Sequence, residues 1–154
     1  MRFLCDDNLG KLARYLRMLG YDTFFKSALN DAELLAVMLK QGRLALTRDT
    51  RLIKRIEPER CLLIETDSPE QQLKTVIERF GLEINKSSLF TRCLECNVIC
   101  DEVAGDDIKD EVFPYIIKTH DRFKRCPSCR RIYWQGSHYK DMLEKLKNVI
   151  GKID

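Results

Sequence analysis

The sequence predicts an α/β fold: a small parallel sheet flanked by helices, followed by a zinc ribbon and a C-terminal helix. Three observations carry that expectation. Short apolar runs alternate with helix-period stretches over residues 1–88, repeating roughly every 15–20 residues. Two Cys-x-x-Cys pairs, Cys93/Cys96 and Cys126/Cys129, bracket the next 29 residues. From Ser137 onward, Met142, Leu143, Leu146 and Ile150 share one helical side. The expected division is an α/β domain over 1–88 and a ribbon with its C-terminal helix over 89–154.

Each element has its own signal. Arg2-Phe3-Leu4-Cys5 is a brief buried strand that runs into Asp6-Asp7. Leu9, Leu12, Leu16 and Leu19 recur at helical spacing, and Gly20 stops that helix. Asp22 to Phe25 reads as a second strand. Asn30-Asp31-Ala32-Glu33 is a capping-box pattern, opening a helix that ends near Gly42. Leu44-Ala45-Leu46-Thr47 is a third strand, closing on Arg48-Asp49. A short helical piece follows, with Leu52, Ile53 and Ile56 inward. Cys61 to Ile64 is a fourth strand, reaching Thr66-Asp67. Ser68-Pro69-Glu70 starts a helix that runs to about Phe80, with Gly81 after it. Alternation of this kind implies right-handed crossovers and parallel strands.

Composition excludes several classes. The chain has 154 residues, is 44% hydrophobic and 33% charged, and carries a net charge of +3. That mixture argues against wholesale disorder and against a uniformly basic or acidic protein. No apolar run approaches the roughly 20 residues of a membrane span, and acid follows Met1 too soon for a secretory signal. The cysteines number seven, and four of them form the two pairs. An odd count without an export signal points to a reduced compartment, so a cytoplasmic location is expected, with metal ligation rather than disulfides.

Two Cys-x-x-Cys turns are the usual way to build a tetrahedral thiolate site, with sulfurs about 2.3 Å from zinc. Cys93, Cys96, Cys126 and Cys129 are therefore the expected ligands of a structural Zn²⁺. Four thiolates close the coordination sphere, so this metal has no catalytic position. Cys5 and Cys61 read as small core residues. Cys100 reads as a non-ligand beside the first pair.

Asp6, Asp49 and Asp67 each follow a predicted strand. In a parallel sheet the C-terminal strand ends share one edge, where ligands bind. Asp31 and Glu33 open a helix at that same edge. Such carboxylates are expected to converge, and two charges about 4 Å apart repel by roughly 4 kcal/mol at an effective dielectric near 20. They would take up a proton or a hard divalent cation, Mg²⁺ or Mn²⁺. The competing account is that they are turn formers and helix caps.

Basic residues have two readings as well. Lys11, Arg14 and Arg17 are either a solvated helix face or a ridge that guides phosphates. Arg48 pairs with Asp49 or meets a phosphate. Residues 101–111 hold six acids, whereas 118–131 hold six Lys or Arg. Lys124, Arg125, Arg130 and Arg131 in the latter are candidate nucleic-acid contacts. Trp134 either stacks a base or covers the ribbon core. Ser137 is a candidate helix cap, and His138 a candidate phosphate contact or proton carrier.

Several of these stretches match a known family. Phe3-Leu4-Cys5-Asp6, the run from Leu9 to Asp22, and Leu46-Thr47-Arg48-Asp49 resemble the opening and central motifs of the Mut-seven C-terminal RNase domain family. Arg92-Cys93-Leu94-Glu95-Cys96-Asn97, Phe123 to Cys129, and Tyr133-Trp134-Gln135-Gly136-Ser137-His138 are similar to its C-terminal signatures. The resemblance covers almost the whole chain. It implies a PIN-like nuclease fold with an attached zinc ribbon. It also implies that Asp6, Asp31 and Asp49 occupy the acidic positions. The sequence departs from the family at Asp7-Asn8, which adds an acid beside that site. The resulting expectation is a Mg²⁺- or Mn²⁺-dependent ribonuclease that binds RNA. The alternative is a non-catalytic RNA- or ribosome-binding adapter. A phosphorelay receiver fits poorly, because the required fifth strand with its lysine has no counterpart. Nothing in the sequence identifies a protein partner.

Overall fold

A computed structural model describes residues 1–151. The last three residues of the expected second unit lie outside it. Four parallel strands form the main sheet: β1 (Arg2–Cys5), β2 (Asp22–Phe25), β3 (Leu44–Thr47) and β4 (Cys61–Leu63), in the order β2-β1-β3-β4. Between them run α1 (Gly10–Met18), α2 (Asp31–Gln41) and the short α3 (Thr50–Ile53), and α4 (Pro69–Phe80) follows β4. All eight elements lie where the periodicity places them, within a residue or two at the ends.

Strand alternation divides the core into two layers. Phe3, Cys5 and Leu46 pack with Leu12 and Leu16 of α1 and Leu73 and Val76 of α4. Leu4 and Ala45 point the other way, against Leu34 and Met38 of α2 and Leu52 of α3. Cys5 and Cys61 are buried core residues, as expected.

Local signals in the sequence are realised. Asn30 and Glu33 form both hydrogen bonds of the capping box. Ser68 caps α4, Pro69 is its first residue, and Gly42 and Gly81 end their helices in the left-handed region.

Beyond residue 88 the chain forms β5 (Asp101–Val103), α5 (Pro114–Thr119), β6 (Phe123–Arg125), β7 (Ile132–Trp134) and α6 (Ser137–Ile150). Strands β5, β6 and β7 make an antiparallel sheet. Helix α6 returns to the first core, where Leu146 is fully buried. Ser137 does not cap it. Gly136 holds the N-cap position without a side-chain bond, and Ser137 is the first helical residue.

The ribbon is keyed into the parallel sheet by buried polar contacts. Arg17 donates to Thr23 O at 3.0 Å, Leu94 O at 2.7 Å and Glu95 O at 3.1 Å. Asn97 Oδ1 accepts from the Thr23 N–H on edge strand β2, and its Nδ2 donates to Asp22. Asp22 also pairs with the buried Arg43 at 2.7 Å. Hydrogen bonds from Arg43 and Asn97 outweigh the effect of burial and hold the Asp22 carboxyl below its ordinary range. Among the described residues, no helix is long and apolar enough to cross a membrane.

Candidate metal centre and acidic strand edge

The four ribbon cysteines come together. Their sulfurs lie within 4.8 Å of one another. Cys93 and Cys129 Sγ are 3.7 Å apart. A tetrahedron of thiolates about 2.3 Å from zinc has edges of roughly 3.8 Å, so the donor set fits that ion.

The two Cys-x-x-Cys turns are built alike. Cys96 N donates to Cys93 Sγ, and Cys129 N to Cys126 Sγ, each at 3.4 Å. Cys93 N reaches Val98 O, and Cys126 N reaches Arg131 O. The residue after each second cysteine lies in the left-handed region, Asn97 at φ +66° and Arg130 at φ +66°. Asparagine tolerates that conformation, whereas arginine is strained there.

Around the sulfurs, Leu94 N donates to the Tyr133 hydroxyl oxygen, so the hydroxyl hydrogen is available to Cys93 Sγ at 3.1 Å. Burial pushes the Cys93 thiol up. The Tyr133 bond and the Cys96 and Glu95 N–H groups pull it down to about 7. Cys100 is buried against Cys93 and Cys126 yet stands outside the four-sulfur group.

The acids are arranged differently. Asp6 follows β1 and Asp49 follows β3, the two central and adjacent strands. Strand order reverses direction between them, which is the position where open parallel sheets bind ligands. Thr47 links the pair: its hydroxyl donates to Asp6 Oδ2 at 2.7 Å and accepts from Asp49 N at 3.0 Å. Asp6 Oδ1 accepts from Asp7 N. Asp49 Oδ1 caps α3, accepting from Arg51 N and Leu52 N. The Arg51 bond is the main cause that holds the Asp49 carboxyl below its ordinary range.

The other predicted acids are drawn off. Asp31 pairs with Arg55 at 3.0 Å, and the largely exposed Asp67 with Arg48 at 2.5 Å. Glu33 is engaged by the Asn30 N–H in its capping box, which gives it a structural role. Among the described residues, the cysteines are the one group of three or more potential metal donors this close together. No three of the expected carboxylates among the described residues lie as close together as the four sulfurs, and caps and ion pairs engage them one by one.

The basic candidates also divide. Lys11 and Arg14 are exposed on α1, but Arg17 is only 4% exposed and spends its guanidinium on backbone carbonyls. It belongs to the ribbon–sheet junction and not to a phosphate ridge. In the ribbon sheet Asp101 stands opposite Arg125 and Glu102 opposite Lys124. Arg125 also pairs with Glu111. The acidic loop thus neutralises part of the basic stretch. Arg131 and Arg14 both pair with Glu95, at 3.2 and 3.1 Å. Trp134 is half-buried against the small cluster of Ile108, Ile116 and Phe123. A Cβ on Gly136 would lie 2.7 Å from the Trp134 indole nitrogen, so glycine is required there. His138 is exposed.

Sequence reasoning missed Thr47 as the link between the acids and Tyr133 as the cysteine partner. Both lie inside the quoted motifs, Leu46-Thr47-Arg48-Asp49 and Tyr133 to His138, but nothing in those motifs indicates the contacts they make.

Comparison with known proteins follows the same motifs. The Mut7-C RNAse domain matches residues 1–146. A human protein, "Exonuclease mut-7 homolog", is 33% identical over 106 residues, covering 66% of this chain. This chain spans 12% of that relative's length. No solved structure matches it to the same standard. The motifs, the four-cysteine centre and the match over nearly the whole sequence agree, and the chain belongs to the Mut7-C RNAse domain family.

Proposed function

We propose that this chain is a divalent-metal-dependent ribonuclease whose working edge is formed by Asp6 and Asp49. The observation that carries the reading is that Thr47 bonds both the Asp6 carboxylate and the Asp49 backbone N–H at the ends of adjacent central strands. Family membership and the name of the human relative support a nuclease.

The donor set suits a partly hydrated ion. Mg²⁺ is typically held by one or two carboxylates while it keeps waters and accepts phosphate oxygens. Asp6 and Asp49 would hold it, and Mn²⁺ is the alternative occupant. When bound, such an ion polarises a phosphoryl oxygen and offsets developing negative charge. Around it, Thr47 fixes the orientation of the Asp6 carboxylate. The N-terminal N–H groups of α3 keep Asp49 ionised. Arg48 and Lys11 offer cationic heads to flanking phosphates. Zinc in the ribbon supplies folding energy.

The test is cleavage of a 5′-labelled single-stranded RNA by zinc-loaded protein with Mg²⁺, Mn²⁺ or neither ion. Activity should require the added ion and be lost in Asp6→Asn and Asp49→Asn. Cleavage that persists in the double variant overturns the reading. RNA binding without cleavage under either ion would leave a non-catalytic adapter in its place.

A further inference from the structure

A trough runs from the ribbon sheet toward the first turns of α1 and α4. Two cavities, of about 660 and 430 Å³, share Arg14, His138 and Met142. The larger lies against β6, β7 and the start of α6. The smaller is lined by Lys11 from the first turn of α1 and by Pro69 and Glu70 from the first turn of α4. It runs along α1 from Lys11 to Met18, and because those helix starts follow β1 and β4, one of its ends lies on the side where the strands terminate, with neither Asp6 nor Asp49 in its lining.

The lining is unlike the rest of the chain. Together the cavities present seven Lys or Arg against three acids, two of the seven, Arg14 and Arg131, sharing Glu95, whereas the whole chain has 27 against 24. Both histidines of the chain line the larger cavity. Aromatic faces are interleaved with this charge. Tyr115 is 64% exposed. Phe90 and Tyr139 form a pair with ring centroids 4.4 Å apart. Trp134 is held in place over Gly136.

We propose that this trough is a binding channel for single-stranded RNA, leading it past His138 to the acidic edge. Alternating cations and exposed rings bind unpaired strands, because phosphates meet the charge and splayed bases stack on the rings. A duplex keeps its bases inward and cannot use the rings. The proposal deepens the ribonuclease reading and rests on it for the identity of the ligand.

The test is fluorescence anisotropy with a 12-nucleotide single-stranded RNA, the matching duplex, and polyglutamate as a competitor. Zinc-loaded Asp6→Asn protein is used without Mg²⁺ or Mn²⁺, so that binding is read apart from cleavage. Arg122→Glu with Lys140→Glu should weaken single-strand binding at least tenfold. The salt slope of log K should fall by about 0.7 for each phosphate that the protein no longer neutralises. Tyr115→Ala should weaken binding severalfold with the slope unchanged, which is the sign of missing base stacking. Zinc content and melting temperature should match the parent in each variant. Equal affinity for duplex, full displacement by polyglutamate at equal charge, or binding unaffected by the substitutions overturns the channel. Channel binding by a protein that cleaves no RNA would retire the ribonuclease reading alone. Cleavage unaffected by the trough variants would retire the channel alone.

Discussion

The cysteine cluster and the acidic edge are both sets of potential metal donors, built in opposite ways. In the ribbon, two matching turns bring four sulfurs within 4.8 Å, with N–H groups and the Tyr133 hydroxyl aimed at them. That centre is closed, with Cys93 and Cys126 buried and Cys129 at the surface. At the strand edge, Thr47 joins the Asp6 carboxylate to the Asp49 backbone N–H, Asp49 caps α3 beside Arg51, and Asp31 and Asp67 pair with more distant arginines. A closed thiolate set fits a permanent ion that stabilises the fold. Under the proposed function, an open edge with few carboxylates suits an ion that must share its sphere with a substrate phosphate.

The largest effect expected from that contrast is at the ribbon. Cys126→Ser should abolish zinc retention and unfold the ribbon, since such sites contribute on the order of 10–16 kcal/mol. Metal analysis and calorimetry check this, and a variant that keeps one equivalent of zinc would contradict it. At the acidic edge the effect should fall on activity and spare the fold. Asp6→Asn should lower cleavage by about 100-fold or more, with melting within a few degrees of the parent. Asp67→Asn should change cleavage far less, because its partner is the arginine beside the site. Similar losses in both variants would erase the distinction drawn between linked and diverted acids.

The junction between the two regions should respond next. Arg17→Met leaves three backbone carbonyls without their donor and should cost about 3 kcal/mol by denaturant unfolding. Asp22 adds a pH dependence. Its carboxyl is held below the usual range, so its contribution is complete above about pH 4. That contribution is lost as pH falls through the depressed native value. The stability gap between parent and Asp22→Asn should therefore be widest at pH 7 and shrink toward pH 3 in thermal melts. A gap that stays constant would assign the Asp22 role to packing alone. The smallest change is expected at the second turn. Arg130→Gly removes left-handed strain and should raise stability by about 0.5–1 kcal/mol, whereas Asn97→Gly should lower it by removing the bonds to Thr23 and Asp22.

Much of the fold was legible because its signals are local. The Asn30–Glu33 box, the Ser68-Pro69 start and the left-handed glycines each act within a few residues. The strands β5, β6 and β7 were not legible, since β5 and β6 are largely charged and β7 has no fully buried residue, whereas the equally short β4 is apolar throughout. The four zinc ligands were legible from spacing, because a Cys-x-x-Cys turn places its own two sulfurs. The state of the carboxylates was not, because their partners Arg55, Arg48 and Thr47 are distant in sequence or silent as motifs. Arg17 shows the same limit. Helical spacing groups it with Lys11 and Arg14, but the docking of residues 94–95 on the last turn of α1 buries it alone.

The sequence by itself therefore determined the order of elements, the parallel sheet, the four-thiol centre and the family. Those follow from backbone preferences, apolar periodicity and short-range spacing. Only the tertiary structure decided which acids are linked, which arginine is buried, and where the ribbon lands against α1 and α6. These depend on contacts between residues far apart in the chain, from Asp31 with Arg55 at 24 residues and Asp6 with Thr47 at 41 to Arg17 with Leu94 at 77, for which no local pattern exists.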